Sequence, residues 1–247
     1  MTGRLAGKRA VVTGAGRGIG RRVAVMYAGE GAAVLACDID AGALGRLAAE
    51  VPGIRTHAAD LTTEAGAAGL AEAARASGAV DILVNAAAIV RFAPIAQMTL
   101  ADWHTTTAGE IDTVFLVTRA LWPLLETSGA ASIVNFASAN AHVALAGLPA
   151  IAHTAGKGAV LAMTRQMAME GGPKCIRANT IAPGFTVTEE TEQHLDTPLM
   201  QNVRAKLMVD RLGTTEDIGH LAIYLGSDES GYVTGADFRI DGGATAW

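Results

Sequence analysis

Short apolar runs recur along the chain, and each is followed by a stretch of helical spacing. Arg9–Thr13, Ala33–Asp38, Ile54–Ala59, Asp81–Asn85, Ser132–Phe136, Ile176–Ile181 and Phe238–Ile240 all read as buried strands. Alternation of this kind means βαβ units. Right-handed crossovers then place helices on both faces of a parallel sheet, with ligands gathered at the C-terminal strand ends. The expected fold is α/β, a doubly wound parallel sheet of about seven strands. Residues 1–247 read as one domain, because no linker-like stretch interrupts the pattern.

The first strand runs straight into Thr13-Gly14-Ala15-Gly16-Arg17-Gly18-Ile19-Gly20, and a helix-like stretch, Arg21–Gly29, follows. In a strand-turn-helix unit, glycines allow a tight turn and let the backbone approach a pyrophosphate, while the helix N-terminus offers unpaired N–H groups. The second apolar run ends in Cys37-Asp38, about 20 residues beyond the loop, where a dinucleotide site carries its ribose-binding acid. A glycine-rich turn beside a solvated acid is the competing reading. Asp60-Leu61 follows the third strand, where an acid suits an adenine amino group and equally suits the start of the next helix. The fourth strand runs into Asn85-Ala86-Ala87-Ala88, small residues that leave room for a ligand or that pack tightly.

Composition narrows the partners. Of 247 residues half are hydrophobic, and the net charge of −5, with charges scattered, gives no basic field for nucleic acid. No apolar run reaches the ~18 residues that span a bilayer, since Asp81 and Asn85 interrupt the longest candidate. Arg4, Lys8 and Arg9 stand where a secretory apolar region would lie, so a soluble, cytoplasmic protein is expected. Cys37 and Cys175 fall at opposite edges of the expected sheet and read as reduced thiols. A small-molecule partner is expected, and no metal.

These motifs together resemble the short-chain dehydrogenase/reductase family, from Lys8 to about Gly243. Thr13 to Gly20 is similar to its cofactor loop, Asp60-Leu61 to its adenine-binding pair, and Asp81 to Ile89 to its D-I-L-V-N-N-A-G-I segment. Asn179 to Thr188 is similar to N-x-x-x-P-G-x-x-x-T, and Arg211-Leu212-Gly213, Thr234-Gly235 and Asp241-Gly242-Gly243 match later landmarks. The resemblance implies a Rossmann-like fold that binds NAD through Gly14, Gly16, Arg17, Gly18, Ile19, Gly20, Asp38, Asp60, Leu61, Asn85, Ala86, Lys157, Pro183, Gly184, Thr186 and Thr188. Asp38 favours NAD, because a carboxylate binds ribose hydroxyls and repels a 2′-phosphate; Arg17 is of the kind found in relatives that use NADP. The family is often tetrameric, and Trp247 is then a plausible subunit contact.

The family's chemistry rests on Asn, Ser, Tyr and Lys, and two of these are kept. Ser138 stands where the serine polarises a substrate carbonyl, and Lys157 where the lysine holds the nicotinamide ribose. Four residues before Lys157 the family's tyrosine is replaced by His153. Histidine titrates near 6.5 without assistance, which suits a general base in alcohol oxidation. Its nitrogen lies roughly 2 Å nearer its Cα than a phenol oxygen does, so a substrate sits deeper or a water bridges. Glu110 aligns with the asparagine; it reads as a partner for Lys157, as a base itself, or as a polar residue on the flank of a long helix. The interval from Ser138 to Lys157 is two residues longer than usual, so the loop with Asn140 and His142 must bulge.

Gly184 to Leu212 has weak periodicity and resembles the family's substrate lid; Glu189, Glu190, Glu192 and Asp196 read as solvated, and turned inward they would favour a cationic or polyhydroxy substrate. The reading is an NAD-dependent oxidoreductase acting on a secondary alcohol or ketone, with catalytic Ser138, His153, Lys157 and Glu110. A lyase or hydrolase using His153 and Glu110, or a non-catalytic NAD-binding protein, are the alternatives.

Overall fold

The computed structural model describes residues 3–247. Seven parallel strands, β1 (Arg9–Thr13), β2 (Ala33–Asp38), β3 (Arg55–Ala58), β4 (Ile82–Asn85), β5 (Ala131–Phe136), β6 (Ile176–Pro183) and β7 (Asp237–Ile240), form one sheet in the order β3-β2-β1-β4-β5-β6-β7. This is the doubly wound, Rossmann-like α/β domain. Successive residues of each central strand point to opposite faces, so each face carries its own core. Val12, Val34, Val84 and Ile181 meet the first and last helices, α1 (Gly18–Gly29) and α8 (Thr215–Gly226). Val11, Leu83 and Ile133 meet α3 (Glu64–Arg75) and α5 (Thr113–Ser128) on the other face. Between them in sequence come α2 (Ala41–Glu50), α4 (Leu100–Thr107), α6 (Ile151–Gly171) and α7 (Pro198–Lys206).

Two of the strands are not buried as their apolar runs suggest. In β3 only His57 is partly covered, and β7 is half-buried throughout apart from exposed Arg239. Both are sheet edges, where a strand has a neighbour on one side only.

The chain winds outwards from β1 in both directions, so the strand order reverses between β1 and β4 and a crevice opens there. Thr13 fixes its walls. Its hydroxyl donates to the Val84 carbonyl at 3.3 Å and accepts from Ala86 N at 3.1 Å and Ala87 N at 3.2 Å. Below, Asp81 joins three elements: it accepts from Arg9 N and Nε and from Ser128 Oγ. Burial raises its pKa, but these hydrogen bonds more than offset that and hold the carboxyl at about 2.

The segment 184–212 leaves the sheet after β6 and returns beside its own start. Thr186 and Gly213 form a bridge at its base, with Val187 N donating to the Gly213 carbonyl at 2.9 Å. Arg211 then grips both oxygens of Asp217, the residue that completes the capping box of α8. Trp247 lies against α7: its indole N–H donates to the Lys206 carbonyl at 3.2 Å, and Lys206 Nζ stands 5.1 Å from the ring centre. Among the described residues no helix is long and apolar enough to cross a membrane.

Candidate active site

Helix α1 begins at the crevice with no side chain capping its N-terminus, so its first N–H groups are open to an anion. Gly14 holds φ +65°, and a Cβ there would stand 2.7 Å from the Ala86 carbonyl oxygen; one on Gly20 would stand 2.2 Å from that of Gly14. Only glycine permits these approaches. Asp38 crosses to this turn from β2, accepting from Gly16 N at 2.8 Å and from Asp40 N at 3.0 Å. Asp60 is held by Thr62, whose N–H and hydroxyl both donate to it. A capless helix start, a cradle that a Cβ would fill and a fixed carboxylate at the neighbouring strand end fit a nicotinamide dinucleotide.

A cleft of about 800 Å³ runs over these residues. Gly14, Arg17, Gly18, Ile19, Gly20, Asp38, Asp60, Leu61, Ala86, Pro183, Gly184, Thr186, Thr188 and Ser138 all line it, and Gly16 touches it through Asp38. Asn85 does not. Its side chain is buried and donates to Thr118 Oγ1 at 3.1 Å and Asn135 Oδ1 at 2.8 Å, so the fourth strand offers the cleft Ala86, Ala87 and Ala88 instead. Arg17 reaches across the cleft to Glu190, at 3.8 Å.

His153 and Lys157 are one turn apart on α6 and share a face. With Ser138, Ile19, Ala86 and Gly184 they line a smaller cavity of about 220 Å³ that shares these last four walls with the cleft. Lys157 Nζ is buried and donates to the Phe136 carbonyl at 3.0 Å. Ser138 Oγ accepts from Asn140 N at 3.2 Å, leaving its proton to donate elsewhere.

Behind this pair lies Glu110, only 1% exposed. It is not on the flank of a continuous helix. Ala108–Asp112 form a π-turn between α4 and α5, and the extra residue in that turn rotates the faces of the helix beyond it. Glu110 Oε1 accepts from His153 Nδ1 at 2.6 Å and lies 3.6 Å from Lys157 Nζ, so its closer partner is the imidazole. Oε2 is buried and has no hydrogen-bond partner among the described residues. It fills the space over Gly156, where a Cβ would stand 2.4 Å away. The Phe92 ring meets the other side of His153 edge-on, with centroids 5.7 Å apart.

His142 is turned away from the cavities and pairs with Asp237 of β7 at 2.9 Å. In its loop, the Ala146 carbonyl accepts from Asn202 of α7 at 3.0 Å. Of the acids of segment 184–212 named above, Glu190 alone lines the cleft; Glu189, Glu192 and Asp196 are exposed. Phe92 and Gly156 were not singled out by sequence, and the only available signal for Gly156 was its place beside Lys157; Thr13 was read as part of the loop but not as the residue that fixes the crevice walls.

The family model described as enoyl-(acyl carrier protein) reductase matches residues 14–245. The D-threitol dehydrogenase of Mycolicibacterium smegmatis is 36% identical over 98% of this chain and 94% of its own. The galactitol 2-dehydrogenase (L-tagatose-forming) of Cereibacter sphaeroides is 35% identical over 99% of this chain and 97% of its own. Among solved structures, a short-chain type dehydrogenase/reductase from Mycobacterium marinum superposes with a TM-score of 0.91 at 32% identity, over 98% of this chain and 97% of that one.

Proposed function

The chain belongs to the short-chain dehydrogenase/reductase family, and on that premise we propose that it is an NAD-dependent oxidoreductase of a secondary alcohol or ketone, with His153 moving the proton. The observation that carries this is the 2.6 Å contact between His153 Nδ1 and Glu110 Oε1. A carboxylate that accepts from Nδ1 fixes the tautomer, leaves Nε2 as the lone-pair nitrogen and stabilises the imidazolium once it forms. The ring therefore serves as the base that takes the hydroxyl proton of an alcohol, and in the reverse direction as the acid that returns it. Ser138 Oγ donates to the substrate oxygen and holds it beside Nε2. Lys157, fixed by the Phe136 carbonyl, would hold the nicotinamide ribose and balances the Glu110 charge.

Gly14 to Gly20 would hold the pyrophosphate of a bound dinucleotide, Asp60 and Leu61 its adenine, and Asp38 its adenosine ribose. When bound, oxidised NAD supplies the acceptor for the carbinol hydrogen and its two electrons. NAD is favoured over NADP because the Asp38 carboxylate, pinned by Gly16 N, would face a 2′-phosphate, while Arg17 is drawn towards Glu190. The shorter reach of histidine is met by the 220 Å³ cavity beside it, which admits a deeper substrate or a water, whose share of liquid volume is about 30 Å³. Residues 184–212 act as the substrate lid.

The test is the absorbance of reduced nicotinamide, followed with alcohols and ketones for the wild type, His153→Ala and His153→Tyr. Alanine is expected to lower turnover by ~10² or more, the usual contribution of a positioned acid or base. An unchanged rate in that variant would remove His153 from the chemistry.

A further inference from the structure

The larger cavity has two ends of different chemistry. Arg17, Asp38 and Asp60 stand at the dinucleotide end. Beyond Ser138 the walls are Val90, Phe92, Val143, Leu145, Leu199 and Val203. These come from three separate segments, the stretch after β4, the lengthened loop after β5, and α7 of the lid, and all turn apolar side chains to one space. Such convergence is unlike scattered surface hydrophobics.

The charged groups near this end are already engaged or turned outward. Of those that line the cavity, Lys206 lies over the Trp247 ring, Glu190 is directed to Arg17 and His194 is largely exposed, while Glu189, Glu192 and Asp196 are exposed outside it. Phe92 continues the apolar wall to the edge of His153. The loop and the lid are tied by the Asn202–Ala146 hydrogen bond, so the wall is held as a unit. A carboxylate, a phosphate or a row of hydroxyls placed here would lose water and find few partners, whereas an alkyl or cyclic group would gain by burial.

We propose that the substrate is an uncharged secondary alcohol or ketone with an apolar substituent on the lid side of the carbinol carbon, and that Val143, Leu145 and Val203 set this preference. The proposal rests on alcohol oxidation at His153. It sets this chain apart from the relatives whose names are those of polyol dehydrogenases.

The experiment uses the full chain with NAD and measures kcat/KM on a homologous series of secondary alkanols from isopropanol upwards, with threitol and lactate as polyol and anion. The value should rise about fourfold per added methylene until the cavity is filled. Val143→Ser and Leu145→Ser should flatten that slope, with the thermal shift produced by NAD confirming that each variant is folded. A flat series, or best turnover on threitol or lactate, overturns the substrate class while leaving the redox reading intact. No turnover on any alcohol or ketone overturns both.

Discussion

Glu110 and Gly156 occupy one volume. The carboxylate sits where a Cβ on residue 156 would be, 2.4 Å from Oε2, and a side-chain atom cannot share that space with the carboxylate that orients His153. Gly156→Ala should therefore displace Glu110 and break the 2.6 Å contact, lowering turnover by about tenfold or more without touching substrate. Kinetics of Gly156→Ala, Glu110→Gln and the double variant check this. The effects should be non-additive by ~0.5 kcal/mol or more, as for groups in contact, and additivity would separate the two residues. At this scale sequence was most informative where a residue type is tied to a backbone geometry. The turn glycines after β1 and the strand-end place of Asp38 could be read because strand, turn and helix frame them. Gly156 could not, since a glycine within a helix reports nothing until the group filling its space is known.

Elements explain the rest of what was and was not legible. Strand-end positions followed from apolar runs, and β1 and β2 lie where those runs put them. The outward or core-facing choice at Asn85 did not, because a run buried on both faces carries no alternation to show which way each side chain points. The π-turn at Ala108–Asp112 was invisible for a related reason: a period of 3.6 places Glu110 on a flank, and one inserted residue moves it inside. Asp81 supplies an element-scale prediction, since it ties β1, β4 and the end of α5 together. Its folded pKa, about 2, lies below the ordinary value of 3.8. Its contribution is therefore complete above about pH 4 and is lost as pH falls through 2. Asp81→Asn should cost roughly 2 kcal/mol at neutral pH by chemical denaturation, with the gap to the wild type closing in acid.

For the whole molecule, cofactor binding and stability are linked, because a ligand that binds only the folded chain stabilises all of it. NAD at a hundredfold excess over its Kd adds ~2.7 kcal/mol, which for a chain of this size raises Tm by roughly 5–10 °C. NADP at equal concentration should raise it less, and Asp38→Ala should narrow the difference; equal shifts in the wild type would place cofactor choice elsewhere than at Asp38. A doubly wound parallel sheet was foreseeable from alternation and crossover handedness, whereas the order of its strands was not. Nor was the way the segment 184–212 packs, since its helix is short and its periodicity weak.

The bridge between Thr186 and Gly213 gives the segment 184–212 a property of its own. Both ends of the excursion are pinned to each other, and between them the segment meets the rest of the fold at points such as Asn202 with Ala146 and Lys206 with Trp247. Because closure entropy grows as the logarithm of length, doubling such a loop costs only about 0.6 kcal/mol. The segment is in this way an exchangeable cassette, open to insertion, deletion or replacement between two fixed joints, while the crevice between β1 and β4 keeps its geometry.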